Sequence, residues 1–273
     1  MSEPVTRLSK PLAALSRRRR HRFAPLLLLL LALATTGGAY AALAPTSGAQ
    51  AASGVSTASL VQGRALYLAN CSSCHGLNAE GTSDGPSLVG VGAAAVDFQV
   101  GTGRMPAKEQ GVQIQAKPVV FTQGQIDSMA LYIASLGPGP AIPSEEDLDL
   151  SNADVARGGE IYRTNCAMCH NYAGSGGALT EGKYAPSLKN TSPRHIWEAM
   201  LTGPGSMPVF GPVTMPPDDK RDIIAFLTTT REEPNPGGAP LGKIGPVSEG
   251  LVGWLVGIGA LIGAAVWLGA KAR

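Results

Sequence analysis

The sequence predicts an all-α protein in which two small, related domains stand in tandem between two hydrophobic helices. Three observations predict it. The chain repeats itself at a fixed offset of 95 residues: Gly63, Tyr67, Asn70, Cys71, Cys74 and His75 recur as Gly158, Tyr162, Asn165, Cys166, Cys169 and His170. Each half closes on apolar residues at helical spacing, in QIDSMALYIASLG (125–137) and DDKRDIIAFLTTT (218–230). Uncharged runs of membrane-spanning length lie near both ends, at 23–44 and 250–270.

The elements run in order. Residues 1–22 end in RRRRHR (17–22), which abuts FAPLLLLLLALATTGGAYAALA (23–44). A basic run can bind nucleic acid. Arginines directly before an apolar run instead mark the cytoplasmic flank of a membrane segment, so no nucleic-acid partner is expected. At about 1.5 Å per residue the run crosses a hydrocarbon layer of about 30 Å. A secretory signal with small residues for cleavage reads similarly, and either would export the domains C-terminal to it. Residues 45–59 are a small-polar linker. The first domain is expected at 60–137, an acidic Pro/Gly linker at 138–153 with a helix start near Ser151–Asp154, and the second domain at 154–232. A linker at 233–249 leads to GLVGWLVGIGALIGAAVWLGA (250–270), with Trp254 and Trp267 near its two ends and a cytoplasmic tail at 271–273. Gly253 and Gly257, and Gly259 and Gly263, offer small-residue faces for a second helix. Positive charge outside both spans predicts a multi-pass chain of the cell membrane, with both termini cytoplasmic and residues 45–249 outside. Each domain is small enough that a lone apolar core would be marginal and would need a staple.

The net charge of +2 singles out no partner. The chemistry sits in NCSSCHG (70–76) and NCAMCHN (165–171). A disulfide between cysteines three apart in a helix is strained and leaves the histidines unexplained. Zinc would need four ligands close together, and these pairs lie 95 residues apart. A redox dithiol would need a βαβ context. Haem c attachment through C-x-x-C-H accounts for all of it. Positions i, i+3 and i+4 share a helix face, so Cys71 and Cys74, or Cys166 and Cys169, can reach the two vinyl groups while His75 or His170 reaches the iron. Two covalent haem c groups are therefore expected.

A sixth ligand is expected from Met105, in GTGRMP, and Met207, in TGPGSMP. Methionine sulfur raises the potential, and a methionine ahead of proline in a Gly-rich loop does not belong to a helix stripe. Met215 is a rival for the second site. Met129, Met168 and Met200 read as packing, Tyr67 and Tyr162 as core, and His195 as the start of a surface helix.

Both halves resemble class I cytochrome c domains, which implies that the carbonyls of Pro86 and Pro186, each opening a PSL, accept the second ring N–H of the histidines. The whole chain, with QVGTGRMPA and LTGPGSMPVFG as its most specific phrases, resembles the di-haem cytochrome c subunits of actinobacterial-type cytochrome bc1 complexes. The resemblance implies a cytochrome b and a Rieske iron–sulfur subunit as partners, menaquinol oxidation, and onward transfer to a cytochrome c oxidase in a supercomplex. The chain itself then carries electrons only, as part of a quinol–cytochrome c reductase, with no catalytic residue of its own. A subunit of a cbb3-type oxidase or of a periplasmic dehydrogenase is the alternative. A di-haem peroxidase would need an open or histidine-ligated iron, which Met105 and Met207 argue against.

Overall fold

A computed structural model describes residues 23–43, 57–232 and 246–271. The expected basic N-terminus and most of the 45–59 and 233–249 linkers lie outside the described residues. The chain forms two compact units, Met1–Val55 and Ser56–Arg273.

In the first unit, α1 spans Ala24–Leu43. Ala24–Ala39 is an apolar stretch within it. Thr35 and Thr36 donate their hydroxyls back to Leu31 and Ala32 carbonyls at 2.9 and 2.7 Å, which satisfies them without water.

The second unit holds both halves of the repeat, built on one plan. In the first, α2 (Thr57–Asn70) runs into the single turn α3 (Ser72–His75), followed by α4 (Gly92–Gly101) and α5 (Gln123–Ala134). In the second, α6 (Val155–Asn165) runs into α7 (Ala167–His170), followed by α8 (Pro193–Thr202) and α9 (Pro217–Glu232). The opening and closing helices of each half cross in close contact, α2 on α5 and α6 on α9. Glycine permits this. A Cβ on Gly63 would stand 1.9 Å from the Ser128 carbonyl oxygen, and one on Gly158 would stand 1.9 Å from that of Asp222.

Around each crossing lies a small core. Tyr67, Ile126, Met129 and Ile133 anchor the first; Tyr162, Trp197, Ile223 and Ile224 anchor the second. Each fully buried aliphatic side chain contributes about 1.5–3 kcal/mol. The helix starts are capped as their sequences suggest. Thr122 and Gln125 form a capping box on α5, and the Asp154 carboxylate accepts from the Ala156 and Arg157 amides at 3.0 Å on α6.

The fold is not strictly all-α. Gly177–Ala178 (β1) and Tyr184–Ala185 (β2) pair antiparallel, bracketing a 3₁₀ turn at Thr180–Gly182. This hairpin lies in an insertion between His170 and Pro186 that the first half lacks. α10 (Pro246–Lys271) starts with proline at its first position and carries 22 residues, Gly250–Lys271, of mean hydropathy 2.2. The Lys271 ammonium sits 4.5 Å from the centre of the Trp267 ring, as expected of an interfacial end.

Candidate functional site

Each C-x-x-C-H segment is a single helical turn set at a bend. The Cys71 carbonyl accepts from the Cys74 and His75 amides at 3.2 and 3.0 Å; that of Cys166 accepts from Cys169 and His170 at 3.1 and 2.9 Å. A buried tyrosine holds the exit of each turn. The Tyr67 hydroxyl donates to the Gly76 carbonyl at 2.6 Å and that of Tyr162 to the Asn171 carbonyl at 2.7 Å. Burial pushes the Tyr67 phenol up to about 12 and the Tyr162 phenol higher still, so both remain donors.

The histidines are buried and oriented. The His75 Nδ1 lies 2.7 Å from the Pro86 carbonyl oxygen and the His170 Nδ1 lies 3.0 Å from that of Pro186. A carbonyl only accepts, so each Nδ1 carries a proton, and Nε2 is the ring nitrogen left to act as a ligand. Burial also holds His170 below its ordinary value, which keeps it neutral. All four cysteines are free thiols. Burial, and then the neighbouring thiol, raises Cys71 and Cys166 to about 11. They are poor thiolates, which does not suit a thiol-exchange site.

In the second half Cys166, Cys169, His170, Pro186 and Met207 line one cavity of about 400 Å³. That size is usual for a small-cofactor site. Met215 is not among the lining residues; it is buried in the second core, where its carbonyl takes the Lys220 ammonium. In the first half Cys71 and Met105 pack against the first core, and Met105 also reaches the cavity of the second half.

A haem c fits these residues. Each half offers two thiols, one lone-pair nitrogen fixed by its proline, and a thioether in a loop over the same core. The Lys117 ammonium is buried without a hydrogen-bond partner among the described residues, and haem propionates are carboxylates that such a cation can pair with. Lys117 is tied to the methionine loop: its amide donates to the Gly103 carbonyl at 3.1 Å, and Gly103, at φ +72, would clash with it if it bore a Cβ.

Several important residues carry no signal in the sequence pattern, and all lie where the two halves meet. α4 packs on α8. His195, expected on a surface helix, instead packs edge-on to Phe98 and lines the cavity. Asp97 is wholly buried and accepts from Gln123 Nε2 and from Arg194 Nε, each at 2.8 Å. Glu198, also wholly buried, lies 3.5 Å from Arg194. Burial, and then Asp97, pushes Glu198 up to about 9, so it is a neutral acid able to donate to Asp97. Burial alone would raise Asp97 too, but the hydrogen bonds from Glu198 and Gln123 and the Arg194 guanidinium outweigh it and hold Asp97 low. Arg194 already occupies the cationic place in this cluster, which therefore does not suit a metal ion. Gln113 adds a second clamp: its amide receives the Tyr184 N–H at 2.8 Å and donates to the Tyr184 carbonyl at 2.9 Å. The one available signal was Asp97 itself, a lone acid in the apolar GAAAVDFQVG. Met129 and Met200 are core residues as expected; Met168, expected to pack, is 86% exposed.

Residues 60–137 match the cytochrome c family model, and residues 153–227 match that of the cbb3-type cytochrome c oxidase subunit III. The cytochrome bc1 complex cytochrome c subunit of Mycobacterium leprae is 46% identical over 90% of this chain and 87% of its own length. That of Corynebacterium efficiens is 42% identical over 93% and 91%. A cbb3-type cytochrome c oxidase subunit of Azospirillum is 28% identical over 48% of this chain.

Proposed function

The chain belongs to the cytochrome c subunits of the cytochrome bc1 complex, and on that premise we propose how it divides the work between its halves. As such a subunit it has a cytochrome c role in a membrane quinol–cytochrome c reductase and carries covalent haem c. When bound, haem c supplies an iron that alternates between two oxidation states and so carries one electron.

The finer reading is ours. Two haem c groups attach, one through Cys71 and Cys74 in domain 60–137, the other through Cys166 and Cys169 in domain 154–232. His75 and His170 ligate from one side, Met105 and Met207 from the other, with Pro86 and Pro186 holding the histidines. Filled sixth positions keep oxygen and peroxide off the iron, so the chain breaks no substrate bond. Electrons from menaquinol arrive through a Rieske protein at the first domain and leave from the second towards a terminal oxidase, beside a cytochrome b subunit. Both 23–44 and 250–270 span the membrane, with the domains on the extracytoplasmic side and both termini in the cytoplasm. The oxidase-subunit alternative rests on likeness in half the chain, whereas the bc1 relatives extend over nine-tenths of it.

The observation that carries this reading is the repeated turn with its histidine Nδ1 on a proline carbonyl at 2.7 and 3.0 Å. Mass analysis of the purified chain is the test, with two attached tetrapyrroles expected. A methionine–iron charge-transfer band from both irons, and co-purification of cytochrome b and a Rieske protein, are expected alongside. A single tetrapyrrole, or a dehydrogenase as the co-purifying partner, would refute it.

A further inference from the structure

The cavity holding Cys166, Cys169, His170 and Met207 is not built by the second half alone. Arg104, Met105 and the 111–114 stretch of the first half also line it. No carboxylate is among its lining residues, while Arg104 and Lys183 bring positive charge. Lys183 is already paired with Glu181, at 3.1 Å. Arg104 has no ion pair among the described residues; its guanidinium stands 5.0 Å over the Phe98 ring. A part-buried guanidinium at a cavity wall calls for an anion, and a haem brings two propionates to whatever cavity receives it.

We propose that Arg104 binds a propionate of the second half's haem, so that this cofactor is held by residues of both halves. The proposal rests on the two-haem reading. The backbone sets the division of labour. The Arg104 and Met105 amides both donate to the Gln99 carbonyl at 2.9 Å, folding the loop against the end of α4. The Gln113–Tyr184 clamp then fixes the far side of the same loop to the second half. Adjacent residues thus serve different haems, Met105 the first and Arg104 the second. A planar guanidinium can grip a carboxylate with two parallel hydrogen bonds, and by partly neutralising it limits its pull on the potential of the iron.

The test uses the full chain within its assembled complex. Mass analysis first counts tetrapyrroles; fewer than two on the unaltered chain would refute the two-haem reading itself. Spectroelectrochemical titration then resolves two components, and Met207→His identifies the one belonging to the second half. Arg104→Gln should lower that component's potential, shifting its reduced-to-oxidised ratio about tenfold at fixed ambient potential, or about 59 mV for one electron. The first component should move less, and Arg104→Lys should restore at least half the shift. Loss of haem from the second half alone in Arg104→Gln would also support the proposal. A shift in the first component equal to or larger than that in the second would overturn it. So would no shift at all, or a lysine variant no better than glutamine.

Discussion

The two halves keep the same site and differ in what surrounds it. In both, a glycine lets two helices cross, a buried tyrosine ties down the exit of the C-x-x-C-H turn, and a proline carbonyl holds the histidine. The ring packed at a tilt against that tyrosine is Tyr132 in the first half and Phe226 in the second, each at 5.4 Å between centroids. Around this shared centre the halves part. The second fastens its helix crossing with charge: Asp222 takes the Asp154 amide at 2.8 Å and Arg157 at 2.9 Å, and Arg157 also pairs with Asp219. The first uses a neutral contact there, Ser128 to Gln62 at 3.3 Å. The second also carries the β1–β2 hairpin, which the first half's loop grips. The contacts around the C-x-x-C-H turns are therefore shared by the two halves, whereas the helix crossings are closed by charge in one and by a neutral contact in the other.

The glycine crossings offer the hardest test of this equivalence. Gly63→Ala and Gly158→Ala should each destabilise their half by about 1–3 kcal/mol, since a Cβ must displace partner backbone. Paired thermal melts check it, and a large loss at one site only would break the symmetry.

The junction between the halves should respond to pH in a way neither half does alone. Glu198 is raised to about 9 in the folded chain, so its neutral form is favoured by folding. The contribution of Glu198 to stability should be fullest below the acid's ordinary value of 4.5 and be lost as pH climbs from there towards 9, where charge on Glu198 meets that on Asp97. Glu198→Gln, which keeps a neutral amide in place, should flatten that fall. Melting temperature against pH for both proteins checks the sign; an unchanged slope would show that Glu198 ionises freely.

Smaller effects sharpen the comparison further. Tyr67→Phe and Tyr162→Phe each remove one buried hydrogen bond and should cost about 1 kcal/mol by denaturant unfolding, equally in the two halves. The smallest is expected at the exit turn, where Gly76 at φ +85 is matched by Asn171 at φ +64. Asn171→Gly should change stability by only a few tenths of a kcal/mol, because asparagine already tolerates the left-handed region.

Much of this was legible in the sequence. The offset of 95 residues marked the repeat, and cysteine, histidine and methionine have few uses at such spacings. Apolar periodicity placed the closing helices, and the apolar side chains that α5 buries are Ile126, Met129, Ala130, Tyr132 and Ile133. The hairpin was not legible, because two-residue strands leave no alternating pattern to read.

By itself the sequence determined the two C-x-x-C-H segments, the twofold plan and the apolar C-terminal helix, because each is written in residue types at fixed separations. Only the tertiary structure decided how the halves meet: Asp97 with Arg194 across 97 residues, Gln113 with Tyr184 across 71, and Arg104 at its neighbour's cavity. The reason is physical. A contact between distant segments leaves no period in a single chain, and a buried charge declares its partner only once both have been removed from water.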